Sequence, residues 1–325
     1  MQHNTHTSRR SVLAGAALLA AAPWQLARAA DQPIRLIVPF PAGGGTDVMG
    51  RLLAQGLGKE LGTTVIVDNV AGATGTIGTA QVARAAPDGR TLLLGVTGNM
   101  AIAPALLKGL RYNTEKDFTA LARICHGGNL LVANPKYPAN TAAEMVALAK
   151  RTGEPVMYGS WGNGSGGHLA AEGIRASTGV KMEHVPYKGV APLLQDLIGG
   201  QIQVGMVDVA GALAQVRAGK IKVLAVTGRK RSSVLPQVPT LKEAGIAFDT
   251  EIWFGLFAPG RLPEAEAQKI AQAAERALRK PEVTARIKEL GMEADPITRA
   301  GFDKEWRADM VTWARLVKQS GATAD

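Results

Sequence analysis

Residues 34–61 read IRLIVPFPAGGGTDVMGRLLAQGLGKEL, and this stretch decides the fold class. It opens with an apolar run at 34–38 that suits a buried strand, and it continues as a helical pattern over 47–61. Three consecutive glycines, at 43–45, separate the two. Glycines in a strand-to-helix turn let another group come close to the backbone. The stretch predicts a βα unit whose turn, PFPAGGGTD at 39–47, could contact a nucleotide phosphate, a reacting substrate or a carboxylate.

The rest of the chain repeats this alternation of apolar runs and helical periodicity. With 325 residues, 46% hydrophobic residues, 38 glycines and 5% aromatic residues, the composition favours an α/β protein with many tight turns. Besides 34–38, strands are predicted at 64–67, 91–96, 130–133, 156–159, 183–185, 204–207, 223–227 and 252–258. Helices are predicted at 47–61, 77–85, 142–150, 167–177, 191–198, 210–218, 263–278, 282–290 and 299–318.

The first 29 residues have the pattern of an export signal peptide. Arg9 and Arg10 precede an apolar stretch at 12–22, and small residues at 27–29 suit a cleavage site. The two arginines are compatible with twin-arginine export, and the general route stays open. An apolar run of about 11 residues is short for a membrane span, which needs about 20. We therefore expect the protein in the periplasm.

Charge and cysteine content exclude several classes of function. Without the arginines of the signal, the net charge falls from +10 to +7, and Lys and Arg are scattered apart from a knot at 229–231. This distribution gives no nucleic-acid footprint. Cys125 is the single cysteine, so no internal disulfide forms, and its apolar neighbours predict a buried thiol. His126, His168 and His184 have no metal-ligand spacing. We expect neither a metal nor a cofactor.

Two further turns resemble the first in their glycine content. They read VAGATGTIG at 70–78 and GSWGNGSGGH at 159–168. In α/β sheets ligands bind at the carboxyl ends of strands, and the unpaired N–H groups of a helix start suit an anion. The alternative is purely structural, with tight turns whose Thr46, Asp47 and Ser165 cap helices.

Enzymatic interpretations find weaker support in these turns. The first turn lacks the lysine of a phosphate-binding P-loop. Gly162, Gly164 and Gly167 have dinucleotide spacing, but a lone match of this kind is weak. Ser165, His168 and Asp208 are the right residue types for a hydrolase, yet Asn163 stands where the G-x-S-x-G motif needs glycine.

At the level of whole motifs, the chain resembles the Bug family, the substrate-binding proteins of tripartite tricarboxylate transporters. The resemblance covers roughly residues 33–318 and rests on PFPAGGGTDVMGRLLAQGL, VDNVAGATGTIG, APDGRTLLLG, GSGGHLAAEG, HVPYKGVAPLLQDLIGGQI and LPQVPTLKEAG. It implies an α/β, two-lobed periplasmic binding protein of type II, flytrap-like, in which each lobe is a mainly parallel sheet flanked by helices. The implied lobes are 30–125 with 250–325, and 126–249. The implied crossing strands are 121–125 and 252–258.

The resemblance also implies a function. Such a protein is a monomeric receptor, not an enzyme, that captures a small carboxylate between its lobes. It delivers the solute to the integral membrane subunits of a tripartite tricarboxylate-type transporter. Two alternatives stay open: a sensor that feeds a signalling partner, and an exported serine hydrolase that uses Ser165 and His168.

The family's ligand contacts map onto matching motifs of this sequence. Asp208 could receive an ammonium group or could bond to a neighbouring backbone, and Trp161 could wall an aromatic acid. Trp253, in the run IWFGLF, more naturally packs in the core. The residues implied to bind ligand are Gly43, Gly44, Gly45, Thr46 and Asp47 in the first turn, Ala73, Thr74 and Gly75 in the second, Ser165 and Gly166 in the third, and Tyr187 and Asp208 near the far end of the ligand.

Overall fold

The computed structural model describes residues 32–323. The export signal predicted for residues 1–29 lies outside the described residues. Within the described part, the strands form two five-stranded sheets, and each sheet with its helices makes one lobe. Residues 32–323 contain no helix that is both long and apolar enough to cross a membrane.

The first lobe is built on a sheet with the strand order β2-β1-β3-β10-β4. Its apolar strands pack against helices on both faces, which is the usual way for such strands to be buried. The strands are β1 (Ile34–Val38), β2 (Val65–Asn69), β3 (Thr91–Val96), β4 (Phe118–Gly127) and β10 (Ile252–Pro259). The helices of this part of the chain are α1 (Gly45–Leu61), α2 (Thr76–Ala83), α3 (Ala103–Leu106), α8 (Glu264–Leu278), α9 (Pro281–Glu289) and α10 (Arg299–Ser320), with short 3₁₀ and π segments at Ala73–Gly75 and Gly98–Ile102.

The second lobe is built on a sheet with the strand order β7-β6-β8-β5-β9. Its strands are β5 (Asn129–Ala133), β6 (Val156–Ser160), β7 (Met182–Pro186), β8 (Val204–Asp208) and β9 (Lys222–Val226). Its helices are α4 (Ala142–Thr152), α5 (Gly166–Thr178), α6 (Val190–Gly199) and α7 (Val209–Arg217). The predicted α/β, two-lobed architecture is confirmed.

Both sheets are mixed, where the sequence predicted mainly parallel ones. In the first sheet β10 runs antiparallel to β3 and β4, and in the second β5 runs antiparallel to β8 and β9. The reason is topological. A strand that enters a sheet from the other lobe starts at the edge where the parallel strands end, so it must run the opposite way.

The two lobes are joined where β4 leads into β5 and where β10 begins. Residues Gly127 and Ile252 are register partners, so both connections lie side by side. Gly128 lies between the sheets, and a Cβ at this position would come within 2.0 Å of the Thr227 carbonyl oxygen. Only glycine therefore fits this path of the chain.

Large aromatic side chains fill the interior next to these connections. Trp253 is 1% exposed and packs against Phe257 and Phe302, and its indole N–H donates to Asp309 Oδ2 at 2.7 Å. This confirms the packing role expected for Trp253. Cys125 is fully buried, as the sequence predicted, and burial raises the pKa of its thiol.

Candidate functional site

The first glycine turn joins the end of β1 to the start of α1. Gly44 is the N-cap, with φ −82° and ψ 170°, and no side chain caps the helix. The first helical bond runs from Val48 N–H to the Gly44 carbonyl at 3.0 Å. The N–H groups of the preceding helical residues, 45–47, therefore have no partner within the helix. They carry the partial positive charge of the helix start.

Asp47 fixes the shape of this turn. Its Oδ2 accepts bonds from Gly43 N–H at 2.9 Å and from Arg51 Nε at 3.0 Å, and the residue is 4% exposed. The Gly43 N–H bond and the Arg51 bond lower the pKa of this carboxyl, so it is ionised. The N–H of Gly43, a predicted ligand contact, is therefore already bonded to the Asp47 side chain. The Asp47 carboxylate stabilises the turn, and only the backbone N–H of Asp47 has no partner within the helix.

The second glycine turn has an unusual backbone. Four consecutive residues have positive φ angles: Gly72 at 131°, Ala73 at 46°, Thr74 at 56° and Gly75 at 90°. Left-handed conformations are costly for alanine and threonine, and strained backbone of this kind concentrates at ligand sites. The bond from Gly75 N–H to the Gly72 carbonyl, 3.0 Å long, closes the turn.

The first and second turns lie against each other. A Cβ on Gly75 would stand 3.2 Å from Phe40 Cζ, and one on Gly78 would stand 3.1 Å from Pro39 Cβ. The side-chain N–H of Asn69 donates to the Phe40 carbonyl at 3.1 Å. The structure thus brings together the two turns that the sequence assigned to one site.

The third turn starts helix α5 in the second lobe. Ser165 is its N-cap, and its Oγ accepts a bond from His168 N–H at 3.2 Å. The N–H groups of Gly166 and Gly167 precede the first helical bond, as in α1. The Trp161 ring lies over this helix start, since a Cβ on Gly167 would come within 2.4 Å of it. Trp161 is partly buried against the core.

The third turn also contacts the first lobe directly. A Cβ on Gly164 would stand 2.1 Å from Leu106 Cδ2, and one on Gly166 would stand 3.4 Å from Ile252 Cγ2. Leu106 lies in α3 and Ile252 begins β10. Helices α1 and α5 therefore start in different lobes, and the two lobes touch at these contacts.

A serine and two histidines lie under the third turn, but they do not form an assembled catalytic site. His168 Nδ1 accepts from Gly164 N–H at 3.0 Å, and the Ser165 hydroxyl donates to Ser160 Oγ at 3.3 Å, so His168 and Ser165 are not paired as base and nucleophile. Ser160 Oγ lies 2.6 Å from His184 Nε2, a pair that the sequence analysis missed, but Ser160 is 0% exposed. A buried hydroxyl cannot reach a substrate, so the geometry gives no support to a hydrolase.

The stacked histidines predict a pH dependence of stability. Burial and the His168 ring 3.9 Å away lower the pKa of His184 to about 4. The unfolded chain takes up this proton near pH 6.5, whereas the folded chain stays neutral. Stability must therefore fall as pH drops from 6.5 to 4, by about 1–3 kcal/mol. Thermal melts of wild type and His184→Gln over this range should differ in slope, and parallel curves would contradict the assignment.

Tyr187 and Asp208 are both engaged within the second lobe. The Tyr187 hydroxyl donates to Asp196 Oδ2 at 3.0 Å, and burial with this carboxylate raises the pKa of Tyr187 to about 12. Asp208 is the N-cap of α7 and accepts from Gly211 N–H at 2.7 Å, and burial raises its pKa. Of the two roles open to Asp208, the structure displays the bond to a neighbouring backbone.

Comparison with known proteins identifies the family. The sequence profile described as "Tripartite tricarboxylate transporter family receptor" (TctC) matches residues 49–321, which takes in the second and third glycine turns and begins just after the first. The chain belongs to the TctC receptor family. Proteins of this family are periplasmic solute-binding receptors, and the two mixed sheets flanked by helices are their fold.

Individual relatives of the TctC family agree along nearly the whole chain. The chain is 35% identical to a UPF0065 protein of Agrobacterium vitis, covering 92% of this chain and 88% of the relative. It is 32% identical to protein BugT of Bordetella pertussis, covering 90% of each chain. Curated relatives thus support the resemblance to the Bug proteins.

Solved TctC and Bug structures share the architecture. Rpa4515 of R. palustris, solved with adipate, has a TM-score of 0.78 at 31% identity, covering 90% of this chain and 98% of that chain. MatC of Rhodopseudomonas palustris, solved with bound malate, has a TM-score of 0.73 at 30% identity, covering 88% and 98%. The periplasmic binding protein BugD has a TM-score of 0.74 at 33% identity, covering 90% and 99%.

One buried polar residue next to the third turn was not singled out by sequence reasoning. Asn129, the first residue of β5, is 1% exposed and lies beside the start of α5. No short motif marks it, because it follows two glycines at the start of an apolar run. Metal ligation has no candidate here: across residues 32–323 no cluster of His, Cys, Asp and Glu side chains is arranged to hold an ion.

Proposed function

We propose that this protein captures a small carboxylate between its two lobes and delivers it to the integral membrane subunits of a tripartite tricarboxylate-type transporter. One observation carries the proposal: the unpaired N–H groups at the start of α1 lie beside the strained second turn, at the carboxyl end of β1. Backbone N–H groups at a helix start bind carboxylates without a cationic side chain.

Charge in the turns fits this mode of recognition. The stretches 39–47, 70–78 and 159–168 contain no Lys or Arg, so an anion would be held by backbone dipoles. Arg51 pairs with Asp47 and offsets the one carboxylate in the first turn. Gly43, Tyr187 and Asp208 are bonded within their own lobes, and we assign them to holding the neighbouring segments in place. The proposed ligand contacts are the N–H groups of Gly44, Gly45, Thr46 and Asp47 in the first turn, Ala73, Thr74 and Gly75 in the second, and Ser165 and Gly166 in the third.

The lobes that close on the ligand are residues 30–125 with 250–325, and residues 126–249. Support comes from the connections between the sheets, which lie at Gly127–Gly128 and ahead of Ile252. Closure would bring the starts of α1 and α5 toward the two ends of a ligand. Members of the family are periplasmic, and we propose export by the signal at residues 1–29, with its arginine pair suited to the twin-arginine route.

A thermal-shift panel tests carboxylate binding. We expect a mono- or dicarboxylate at 100 times its dissociation constant to stabilise the mature protein by about 2.7 kcal/mol. At about 2–4 °C per kcal/mol, the midpoint should rise by roughly 5–10 °C. The panel should include dicarboxylates, tricarboxylates, aromatic acids and amino acids. A panel in which nucleotides shift the midpoint and no carboxylate does would contradict the proposal.

Uptake measurements test the transporter step separately. A deletion strain should lose uptake of the ligand identified by the panel, and the plasmid-borne gene should restore it. Unchanged uptake, with binding intact, would assign the protein to a signalling partner instead.

A further inference from the structure

An apolar groove, the α10 groove, lies in the first lobe between residues 101–115 and helix α10. Its volume is about 480 Å³, and its walls include Leu107 and Leu110 on one side and Met310, Val311 and Ala314 on the other. Val311 is 73% exposed, the largest exposed fraction among the large apolar side chains of residues 32–323. No residue of the three glycine turns lines the groove. It is therefore a surface separate from the proposed ligand contacts.

Helix α10 presents a basic face around Val311. Lys304 precedes Val311 by seven residues, and Arg315 and Lys318 follow it by four and seven; all three are exposed. Residues at these spacings share one face of a helix. Within residues 32–323, none of these three cations has a carboxylate partner. Exposed apolar surface with a polar rim is typical of an interaction site.

The carboxylates near the α10 groove do not cancel this charge. Glu115 is the one charged residue, within residues 32–323, that lines the groove itself. The Asp303 bond and then the Glu115 charge raise the pKa of Arg307, so Glu115 acts on a guanidinium that is already paired. The acidic side chains of α10 all have partners: Asp303 with Arg307, Glu305 with Arg123, and Asp309 with the Trp253 indole N–H.

Helix α10 is bonded to both lobes. In the first lobe, the Trp306 indole N–H donates to the Met100 carbonyl at 2.9 Å. At the other end of the helix, Arg175 Nη2, from α5 of the second lobe, donates to the Gln319 carbonyl at 3.2 Å. A partner on the exposed face of α10 would lie on a helix that contacts both lobes. Its binding would therefore depend on lobe closure.

We propose that the α10 groove docks an acidic segment of an integral membrane partner. The segment inserts an apolar side chain beside Val311 and places carboxylates against Lys304, Arg315 and Lys318. The proposal rests on the proposed function, which identifies that partner as the transporter. A concave groove suits a protruding protein segment better than a flat lipid surface. Opposite charges at the rim speed the encounter, and the apolar contact at the centre holds the complex.

Val311→Asp should block docking and leave ligand binding intact. In spheroplasts of the deletion strain, uptake is restored by adding the purified mature protein with its ligand. The variant should need at least about tenfold more protein for half-maximal uptake, which corresponds to about 1.4 kcal/mol. Because Val311 is exposed, the variant should melt like wild type and bind the same carboxylate with unchanged affinity. A variant that supports uptake at the wild-type concentration would overturn the proposal.

Met157→Asp is the matched control. Met157 is 54% exposed on β6 of the second lobe and does not line the α10 groove. It introduces the same charge at another exposed apolar position, so uptake should stay at the wild-type level. An equal loss of uptake in both variants would assign the effect to charge in general and would remove the groove from docking.

Charge reversal tests the basic face independently. The double variant Arg315→Glu with Lys318→Glu should also raise the protein concentration for half-maximal uptake by about tenfold or more. Added salt screens exposed charges, so it should weaken wild type more than this variant. Equal salt dependence of the two proteins would contradict an acidic partner.

Cross-linking separates a failure of docking from a failure of the proposed function. With p-benzoylphenylalanine in place of Val311, light should attach the protein to a transporter membrane subunit, identified by mass spectrometry; the same group at Met157 should not. No adduct at Val311, or only Val311-dependent binding to phosphatidylglycerol vesicles, would overturn docking to a protein. An adduct to a membrane-bound signalling receptor would uphold the groove and contradict delivery to a transporter.

Discussion

Gly44→Asp is expected to abolish carboxylate binding while the protein stays folded. The backbone angles of Gly44, φ −82° and ψ 170°, suit any residue, and the nearest atom to an added Cβ is the Pro41 carbonyl oxygen at 3.7 Å. Aspartate is a favoured N-cap, so its carboxylate would accept from the N–H groups of Thr46 and Asp47. These are the groups proposed to hold the ligand. The introduced carboxylate would therefore occupy the proposed anion site.

The size of the effect follows from charge repulsion. Two carboxylates about 4 Å apart at an effective dielectric constant of about 20 repel by ~4 kcal/mol. Calorimetry should show a loss of affinity of about a thousandfold. Gly44→Ala is the neutral control and should lose less than about threefold. Gly44→Asn caps the helix without a charge, and it should fall between the two. A Gly44→Asp protein with affinity near that of wild type would remove the first turn from the site.

Gly128→Ala should have the largest effect on folding. An added Cβ would stand 2.0 Å from the Thr227 carbonyl oxygen and 2.6 Å from Val226 Cγ2. Neither chain can shift freely, because Asn129 N–H donates to Thr227 Oγ1 and Thr227 N–H donates to the Asn129 carbonyl, both at 2.8 Å. Overlap with fixed backbone is among the mechanisms of large destabilisation. We expect the free energy of unfolding to fall by more than ~3 kcal/mol.

Thermal melts would measure this loss as a drop of at least about 6 °C in the midpoint. Gly199→Ala is the matched control, since Gly199 ends α6 and has nothing within 4 Å of an added Cβ. That variant should melt close to wild type. A Gly128→Ala protein that also melts within about 2 °C of wild type would show that the connection between the sheets can yield.

Periodicity in the sequence was sufficient to predict most of the elements. The strand at 34–38 and the strand at 91–96 have the predicted bounds, and the helix predicted at 47–61 begins two residues earlier, at Gly45. These segments are bounded by glycine or proline and carry clear apolar patterns. The residues between β3 and β4 were missed, because the buried π segment Gly98–Ile102 and the short helix α3 are apolar without a helical period.

Side-chain pairing was the part of the site that the sequence could not predict. The glycine turns were recognisable from their residue types alone, because glycine is the residue that lets another group approach the backbone N–H groups. The partners of Asp47, Tyr187 and Asn129 depend on contacts between distant segments. Thus the Asp47 bond to Gly43, the Tyr187 bond to Asp196, and the incompletely bonded Asn129 emerged only from the fold.

The side-by-side connections between the sheets have a mechanical consequence. Strands β4 and β10 are paired from Ile252 opposite Gly127 to Pro259 opposite Phe118, so both connections leave the first sheet from the same edge. Two connections that lie side by side would act as a single hinge in the lobe closure proposed above. Occupancy would therefore be converted into a single opening angle. A membrane partner that contacts both lobes could respond to that angle alone. Ligands of different length would then stop lobe closure at different angles.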